Sequence, residues 1–179
     1  MNKNKPYPAH NRLINNQHSF NYDIESEWPP EADLSEIFIG LTRILQRSHA
    51  ITKGVLVIYE PDGTRFVAAA TWNNGRTRKN LSIKLPHVFS LFKNIAEDGR
   101  FYMDNFCRIF EGNSFERNLL LDSDSQSFAV QPLKYEGRVL GLLGYSSDQP
   151  MAFTTFENGF LDEVARQLAC RISKTTVKK

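Results

Sequence analysis

The sequence predicts an α+β domain with a central antiparallel sheet of about five to six strands. Two stretches, 34–49 and 156–172, carry apolar residues every three or four positions, which is the spacing of a helix with one buried face. Between them lie short runs rich in β-branched residues, and brief turn sequences join the first two and the last two runs, which favours antiparallel pairing. We therefore expect the N- and C-terminal helices on one face of the sheet, and a helix plus an irregular segment on the other.

Length and composition narrow the class of protein. The 179 residues suffice for one domain with a hydrophobic core. The sequence has 22 Lys and Arg and 20 Asp and Glu, and the basic residues form no clustered run. We therefore expect no nucleic-acid partner. No apolar run reaches about 18 residues and no apolar leader core opens the chain, which predicts no membrane partner. The two cysteines, Cys107 and Cys170, indicate a reduced, cytoplasmic protein.

The first element of the domain is its N-terminal helix. Residues 1–32 are rich in Asn, Pro and charge without helical or strand periodicity, which predicts a polar extension. Asp33 followed by Glu36 has the spacing of a capping box, so the helix begins there. The domain is predicted to span 33–175, with a C-terminal tail over 176–179.

A hairpin, a strand and a second helix follow. GVLVIYE (54–60) and RFVAAATW (65–72) are of strand length, and the PDGT sequence between them forms a turn. The alternating sequence LSIKL (81–85) predicts a third strand. Pro86 then opens a predicted helix that stops at Gly99, because proline suits the first helical turn and glycine the position after the last.

The second half of the chain contains an irregular segment, a hairpin and the last helix. Residues 100–126 have the least regular pattern, with a short extended piece near Tyr102 and a short helix. SFAVQPLKYEGRVLGLLGYSS (127–147) predicts two apolar strands joined by a polar turn. Thr154 and Glu157 form a capping box for the last helix.

The end of the chain resembles the C-terminal half of a GAF domain. The shared features are an apolar strand that ends in Pro-Leu, a turn with Gly, a Val-x-Gly-x-Leu strand, and a helix of the form FT..E...L..VA.QLA. The matching residues are Pro132, Leu133, Gly137, Val139, Gly141, Leu143, Phe153, Thr154, Glu157, Leu161, Val164, Ala165, Gln167, Leu168 and Ala169. The order of elements agrees over about 34–175, so the resemblance implies a GAF/PAS-like fold.

The resemblance also implies a sensory or regulatory domain that binds a small molecule, signals through a partner chain and has no catalysis of its own. Family members hold ligands between the sheet and the middle segment, which places the predicted site under residues 86–126. Aromatic rings that could stack on a ligand, and polar groups that could orient it, are candidates. The candidate ligand-binding residues are Trp72, Phe89, Phe92, Tyr102, Asp104, Phe106, Phe115, Ser127, Ala129, Gln131 and Tyr145.

The sequence does not specify the ligand or any cofactor. The spaced residues of the family's cyclic-nucleotide binders are not recognisable here, and bilin binders often have His after their cysteine, whereas Arg108 follows Cys107. The histidines have no metal-ligand spacing, so we expect no metal site.

Two alternative functions compete with the ligand sensor. The same aromatic side chains would also suit a filled core, which would leave a degenerate GAF domain acting only as a dimerisation or protein-interaction module. The second alternative is a redox enzyme similar to the free methionine-R-sulfoxide reductases, which are GAF proteins that use cysteines of the middle segment. Cys107 would be its nucleophile, but Cys170 falls on the last helix and not near it in sequence.

The terminal helices predict a homodimer. In many GAF proteins these helices join those of a second subunit. LSEIFIGLTRIL has heptad-like spacing that could serve both the sheet and a partner. We therefore expect a homodimer that carries an unidentified small-molecule ligand.

Overall fold

The part of the chain that this computed structural model describes, residues 23–60, 65–155 and 160–176, contains five helices and seven strands. The predicted turn at 61–64, Glu157, most of the N-terminal extension and most of the C-terminal tail lie outside the described residues. In chain order the elements are α1 (Ile24–Glu27), α2 (Leu34–Gln46), β1 (Ile51–Tyr59), β2 (Phe66–Asn73), β3 (Arg76–Arg78), β4 (Ile83–Lys84), α3 (Leu91–Asp98), β5 (Tyr102–Asp104), α4 (Ser114–Leu120), β6 (Ser127–Tyr135), β7 (Arg138–Ser147) and α5 (Phe160–Thr176).

The strands form one antiparallel sheet with the order β3-β2-β1-β7-β6-β5, and β4 also pairs with β2. The predicted α+β class and antiparallel sheet are confirmed. The sheet has seven strands rather than the five to six expected, because a short strand, β3, follows β2 and pairs with it. Asn74 and Gly75, with φ of 45° and 86°, form the tight turn between the two strands. In the predicted third strand, 81–85, Ile83 and Lys84 form β4 and pair with β2, and the amides of Leu81 and Leu85 donate to the β2 carbonyls of Ala69 and Phe66.

The second helix begins later than its proline suggested. Pro86 does not open it, because the backbone of Phe89 has a φ of 50°, in the left-handed region that interrupts a right-handed helix. Ser90 is the N-cap, and its Oγ accepts a hydrogen bond from the Lys93 amide. The helix ends at Gly99 in the left-handed conformation, as predicted.

The two long terminal helices, α2 and α5, cover one face of the sheet, which confirms their predicted placement. Phe38 and Leu41 of α2 and Val164 and Leu168 of α5 are fully or almost fully buried in a core that includes Leu143 of β7. The helical spacing of apolar residues in the sequence corresponds to this buried stripe.

Residues 86–121, here called the middle layer, cover the opposite face of the sheet. Phe92 and Ile95 of α3 and Leu120 of α4 pack there in a second core with Phe128 of β6 and Leu142 of β7. The predicted arrangement of a helix plus an irregular segment on this face is confirmed, with α4 as a second short helix.

The end of the N-terminal extension, residues 23–32, packs on the terminal helices. Ile24 is fully buried, and its amide donates to Gln167 Oε1 of α5 at 2.6 Å. The Trp28 ring lies so close to Gly40 that a Cβ there would be 2.2 Å from it, so α2 needs a glycine at this contact. Gly40 follows Phe38 by two residues and therefore lies about 200° around the helix from it. The Phe38 ring stacks on Tyr145 of the sheet. The chain therefore covers part of the side of α2 that faces away from the sheet.

No helix in the described ranges is long and apolar enough to cross a membrane.

Candidate functional site

The predicted ligand-binding residues do not line one cavity, because the structure divides them between the two faces of the sheet. Ala129, Trp72 and Tyr145 belong to the core under the terminal helices. Strand alternation places Ser127 and Gln131 on the same face as Ala129. These five residues therefore lie on the opposite side of the sheet from the middle layer that was expected to cover them.

A β-bulge explains part of this division. The pairing of β1 with β2 shifts between Leu56, which pairs with Ala70, and Val57, which pairs with Ala68. Ala69 is thus the extra residue, and a bulge reverses the alternation of side chains. Ala68 consequently faces the middle layer, whereas Trp72, which would share that face in a regular strand, faces the terminal helices.

The predicted residues under the terminal helices have packing and hydrogen-bonding roles. The Tyr145 ring stacks on Phe38 with centroids 6.2 Å apart, and its hydroxyl lies 3.2 Å from Thr42 Oγ1. Complete burial raises the pKa of Tyr145 well above its usual range. Gln131 Nε2 donates to Asp162 Oδ1 of α5 at 3.0 Å, and Ser127 Oγ donates to the Gln149 carbonyl at 2.6 Å.

The space between the sheet and the middle layer, where the ligand was expected, is filled by side chains. Phe92, Leu120 and Phe128 are fully buried there. The Phe128 ring contacts Tyr102 at 5.7 Å and Phe110 at 5.5 Å between ring centroids. Of the predicted site residues, Phe92 and Tyr102 are therefore components of an aromatic core.

The remaining predicted residues lie at the surface of the middle layer or in its loop. Phe89, Phe106 and Phe115 expose more than half of their side-chain surface. Asp104 Oδ1 accepts hydrogen bonds from the amides of Phe106 and Cys107, both at 2.9 Å, and so holds the loop after β5. None of these four side chains points to a common interior cavity in the described structure.

Glu116 of α4 is a buried charged group that the sequence reasoning missed. Its carboxylate, with no exposed surface, accepts hydrogen bonds from Ser90 Oγ, the Leu91 amide at 2.8 Å and the Phe92 amide at 3.3 Å. These donors belong to the N-terminus of α3, where the helix dipole favours a negative charge. A Cβ at Gly112 would lie 2.5 Å from Glu116 Oε2, so only glycine fits beside the carboxylate. Burial raises the pKa of Glu116, and the hydrogen bonds only partly oppose this.

Lys53 of β1 holds the other end of α4. Its Nζ donates to the carbonyls of Asn118 at 2.7 Å and Leu121 at 3.0 Å, and to Asp122 Oδ1 at 2.8 Å. A cation at the C-terminus of a helix is favourable because the free carbonyls carry partial negative charge. Lys53 and Glu116 therefore anchor α4 at both ends. In the sequence, the feature that could have indicated this role is a single lysine within an apolar strand.

Cys107 has the features of an unreactive thiol. Partial burial and the nearby Asp104 raise its pKa, and Arg117 only partly opposes them. Cys107 packs against the middle-layer core, whereas Cys170 lies on α5, across the sheet. In the described ranges, no three His, Cys, Asp or Glu side chains come together as metal ligands.

Two surface cavities are lined by described residues outside the filled interior. The larger, here called the terminal groove, has about 690 Å³ between residues 28–35, the C-terminal end of α5 and the apolar side chains of Ile58, Ala69 and Leu81. The smaller has about 440 Å³ and is lined by Arg65, Lys84, Leu85, Pro86 and His87.

Comparisons with known proteins identify the family. The model of the GAF domain matches residues 33–174, and the chain therefore belongs to the GAF domain family. No curated protein matches the sequence. The fold and family support a ligand-binding or regulatory domain.

The similar solved structures include isolated GAF domains of larger proteins and a free methionine-R-sulfoxide reductase. The GAF domain of a phosphoenolpyruvate-protein phosphotransferase from Coxiella burnetii is 19% identical, with a TM-score of 0.67, over 82% of this chain and 86% of that chain. The GAF domain of a two-component sensor histidine kinase from Bacillus halodurans is 15% identical, with a TM-score of 0.65, over 82% and 97%. Free methionine-R-sulfoxide reductase from Neisseria meningitidis, in complex with its substrate, is 16% identical, with a TM-score of 0.59, over 82% and 81%. At these identities the likeness concerns the fold.

Proposed function

We propose that this chain is a regulatory GAF domain that acts through surface contacts with a partner chain and has no catalytic activity of its own. The filled interior carries the proposal. Phe92, Leu120 and Phe128 occupy the space between the sheet and the middle layer, where the ligand of the sensor hypothesis was expected. Interiors packed in this way leave few voids larger than a water molecule, so binding is left to the surface.

The anchoring of α4 supports the same function. A ligand that entered under the middle layer would have to displace buried rings and separate Glu116 from Ser90 or Lys53 from Asp122. Glu116 is fully buried, so the loss of its partners would leave an uncompensated group in a dry interior, which costs about 3–5 kcal/mol. The middle layer is therefore a fixed platform rather than a lid.

A small-molecule sensor that uses the terminal groove is the second candidate function. Its volume of about 690 Å³ is within the range of ligand sites, about 300–1,000 Å³, and its floor of Ile58, Ala69 and Leu81 is apolar. The groove touches both α2 and α5, so a ligand there would act on the helices that were expected to form a dimer.

A redox enzyme has less support. A nucleophilic cysteine needs a lowered pKa, whereas burial raises the pKa of Cys107, and Cys170 is on the other side of the sheet. The likeness to methionine sulfoxide reductases is a likeness of fold at 16% identity.

Native mass spectrometry of freshly purified protein tests the proposed function. We expect the denaturing spectrum to give the 20.5 kDa polypeptide mass, and the native spectrum to give that mass or a whole multiple of it, with no added mass. A multiple of two in the native spectrum would support the homodimer. An extra mass that is lost on denaturation and also in Leu81→Arg would favour the groove sensor. An extra mass that persists in Leu81→Arg would mean that a small molecule binds outside the terminal groove, and it would contradict the proposed function.

A further inference from the structure

Residues 23–32, here called the strap, lie across α2 and α5. Within the strap, the Trp28 amide donates to the Ile24 carbonyl at 3.0 Å and closes the single turn of α1. Ile24 and Trp28 therefore lie on the same side of this turn. Ile24 is fully buried, and the Trp28 ring packs on Gly40 of α2. The strap is thus held by two apolar side chains that are four residues apart.

Two polar side chains of α5 bind the main chain of the strap. Gln167 Oε1 accepts a hydrogen bond from the Ile24 amide at 2.6 Å. The Arg171 guanidinium donates to three strap carbonyls, those of Trp28, Pro29 and Ala32. Amides and carbonyls occur along every peptide, so these contacts recognise the path of a backbone rather than the strap's own sequence.

Gly40 provides a notch in α2 for the Trp28 ring. Glycine inside a helix lowers its stability relative to alanine, so the helix itself does not favour this residue. A Cβ at Gly40 would lie 2.2 and 2.3 Å from two carbons of the Trp28 ring, and its three nearest atoms all belong to that ring. The ring that it admits is therefore the structural reason for the glycine.

The strap lies outside the domain that the family defines, which begins at residue 33. In the described ranges, every strand and every helix other than α1 begins at or after Leu34. A single helical turn is not stable alone, so the strap is ordered by its contacts with α2 and α5. Without the strap, the sheet and its helices would present a site formed by Gly40, Gln167 and Arg171, here called the strap site.

We propose that the strap site is a docking site for a segment of a partner protein, and that the strap occupies the site when this segment is absent. The occupant has the chemistry of the strap, namely a helical turn with an aliphatic residue and a tryptophan or phenylalanine four residues later. Helices that bind grooves are commonly recognised through apolar anchors at this spacing. The proposal rests on the proposed function, since it names a surface through which the regulatory domain contacts its partner.

The attachment of the strap to its own chain sets a threshold for docking. A tethered segment acts at an effective concentration of about 1 mM, far above the concentration of a second copy in solution. Each strap therefore favours its own chain over exchange between copies. A partner segment must bind more tightly than the strap in order to displace it, so the strap makes docking selective.

Fluorescence anisotropy with a labelled peptide of residues 23–32 tests this proposal on full-length chains. The double variant Ile24→Ser, Trp28→Ala, here called the strap-release variant, removes both apolar anchors of the strap. A peptide with a Kd of about 0.1 mM should bind this variant about ten times more tightly than the wild type, whose strap competes at about 1 mM. Adding Gly40→Ala should abolish binding because the methyl group occupies the notch, although alanine favours the helix.

Two altered peptides serve as controls for the anchors. Trp28→Ala in the peptide should weaken binding to the strap-release variant at least about tenfold, as expected for an aromatic anchor. Glu27→Ala should leave the affinity unchanged, because Glu27 is exposed in the strap. Random 16-residue peptides selected by display on the strap-release variant should carry an aliphatic residue and, four positions later, Trp or Phe.

Four results would overturn the proposal. They are the absence of peptide binding to the strap-release variant at about 1 mM, equal affinity for this variant and the wild type, selected peptides without the four-residue spacing, and a wild-type dimer that Gly40→Ala dissociates. The last result would make the strap of a second copy the occupant.

Gly40→Ala alone provides a second test if the strap-release variant does not fold by circular dichroism. It displaces the Trp28 ring without removing a strap residue, so cleavage after Glu27 by Glu-C protease should become faster than in the wild type. Unchanged cleavage would overturn the proposal. The native mass experiment contains no peptide and reports on bound small molecules, so the proposed function and the strap site can fail separately.

Discussion

Replacing Phe128 with Ala should lower the free energy of unfolding by about 4 kcal/mol, the largest loss that we expect from a single residue of this domain. Phe128 is fully buried in the centre of the filled interior, between Tyr102 and Phe110. Truncation removes its transfer free energy and leaves a cavity, because the anchored middle layer can collapse only in part.

Urea unfolding of Phe128→Ala and Phe115→Ala measures this effect with a matched control. Phe115 lies on α4 of the middle layer, on the same side of the sheet, but is exposed, so its replacement should change the free energy of unfolding by less than about 0.5 kcal/mol. The Phe128→Ala cavity should also bind a small apolar probe such as benzene, which the wild type should not bind. A loss below about 1 kcal/mol, or benzene binding by the wild type, would show that the interior is not filled.

Replacing Glu116 with Ala should lower the free energy of unfolding by about 3 kcal/mol. The substitution leaves Ser90 Oγ and the amides of Leu91 and Phe92 buried without their acceptor, and it releases α4 from α3. Glu116→Gln is the control of equal size. Glutamine keeps one acceptor oxygen, so Glu116→Gln should lower the free energy of unfolding by less than Glu116→Ala does. Chemical unfolding of the wild type and the two variants gives the order of their stabilities. Equal stability of the Glu116→Ala variant and the wild type would show that Glu116 does not anchor α4.

The pH dependence of stability, compared between the wild type and Glu116→Gln, tests the direction in which folding shifts the Glu116 pKa. Because burial raises its pKa, the folded protein holds the Glu116 proton to a higher pH than the unfolded chain does. This contribution to stability is fully present below the unfolded pKa of about 4.3 and is lost as pH rises through the raised value. The stability of the wild type minus that of Glu116→Gln should thus be largest in acid and should fall toward neutral pH. A difference that grows with pH would indicate a lowered pKa instead.

Much of the fold could be predicted because it depends on local patterns. The stripe of Phe38 and Leu41, the cap at Asp33 and the left-handed stop at Gly99 are each set by residues close in sequence, and each lies where the pattern indicated. The late start of α3 could not be predicted in this way, because it depends on the unusual φ of Phe89.

The candidate site was less predictable because it depends on contacts between distant residues. One extra residue in β2 reverses the side-chain alternation, so Trp72 moves to the other face of the sheet. Glu116 looks like an ordinary surface acid of a short helix, and only its proximity to Ser90, 26 residues earlier, shows that it is buried and bonded. The sequence also does not show which aromatic residues fill the interior and which, like Phe115, are exposed.

Methyl NMR of protein labelled at Ile, Leu and Val, titrated with a mixture of small metabolites, tests the central claim most directly. Val55, Leu120, Val130 and Leu142 report on the filled interior, and Leu34, Ile58 and Leu81 report on the terminal groove. We predict no concentration-dependent shifts at the interior methyl groups. Saturable shifts at these groups, with none in the groove, would contradict a domain that acts through its surface and would restore a ligand site beneath the middle layer.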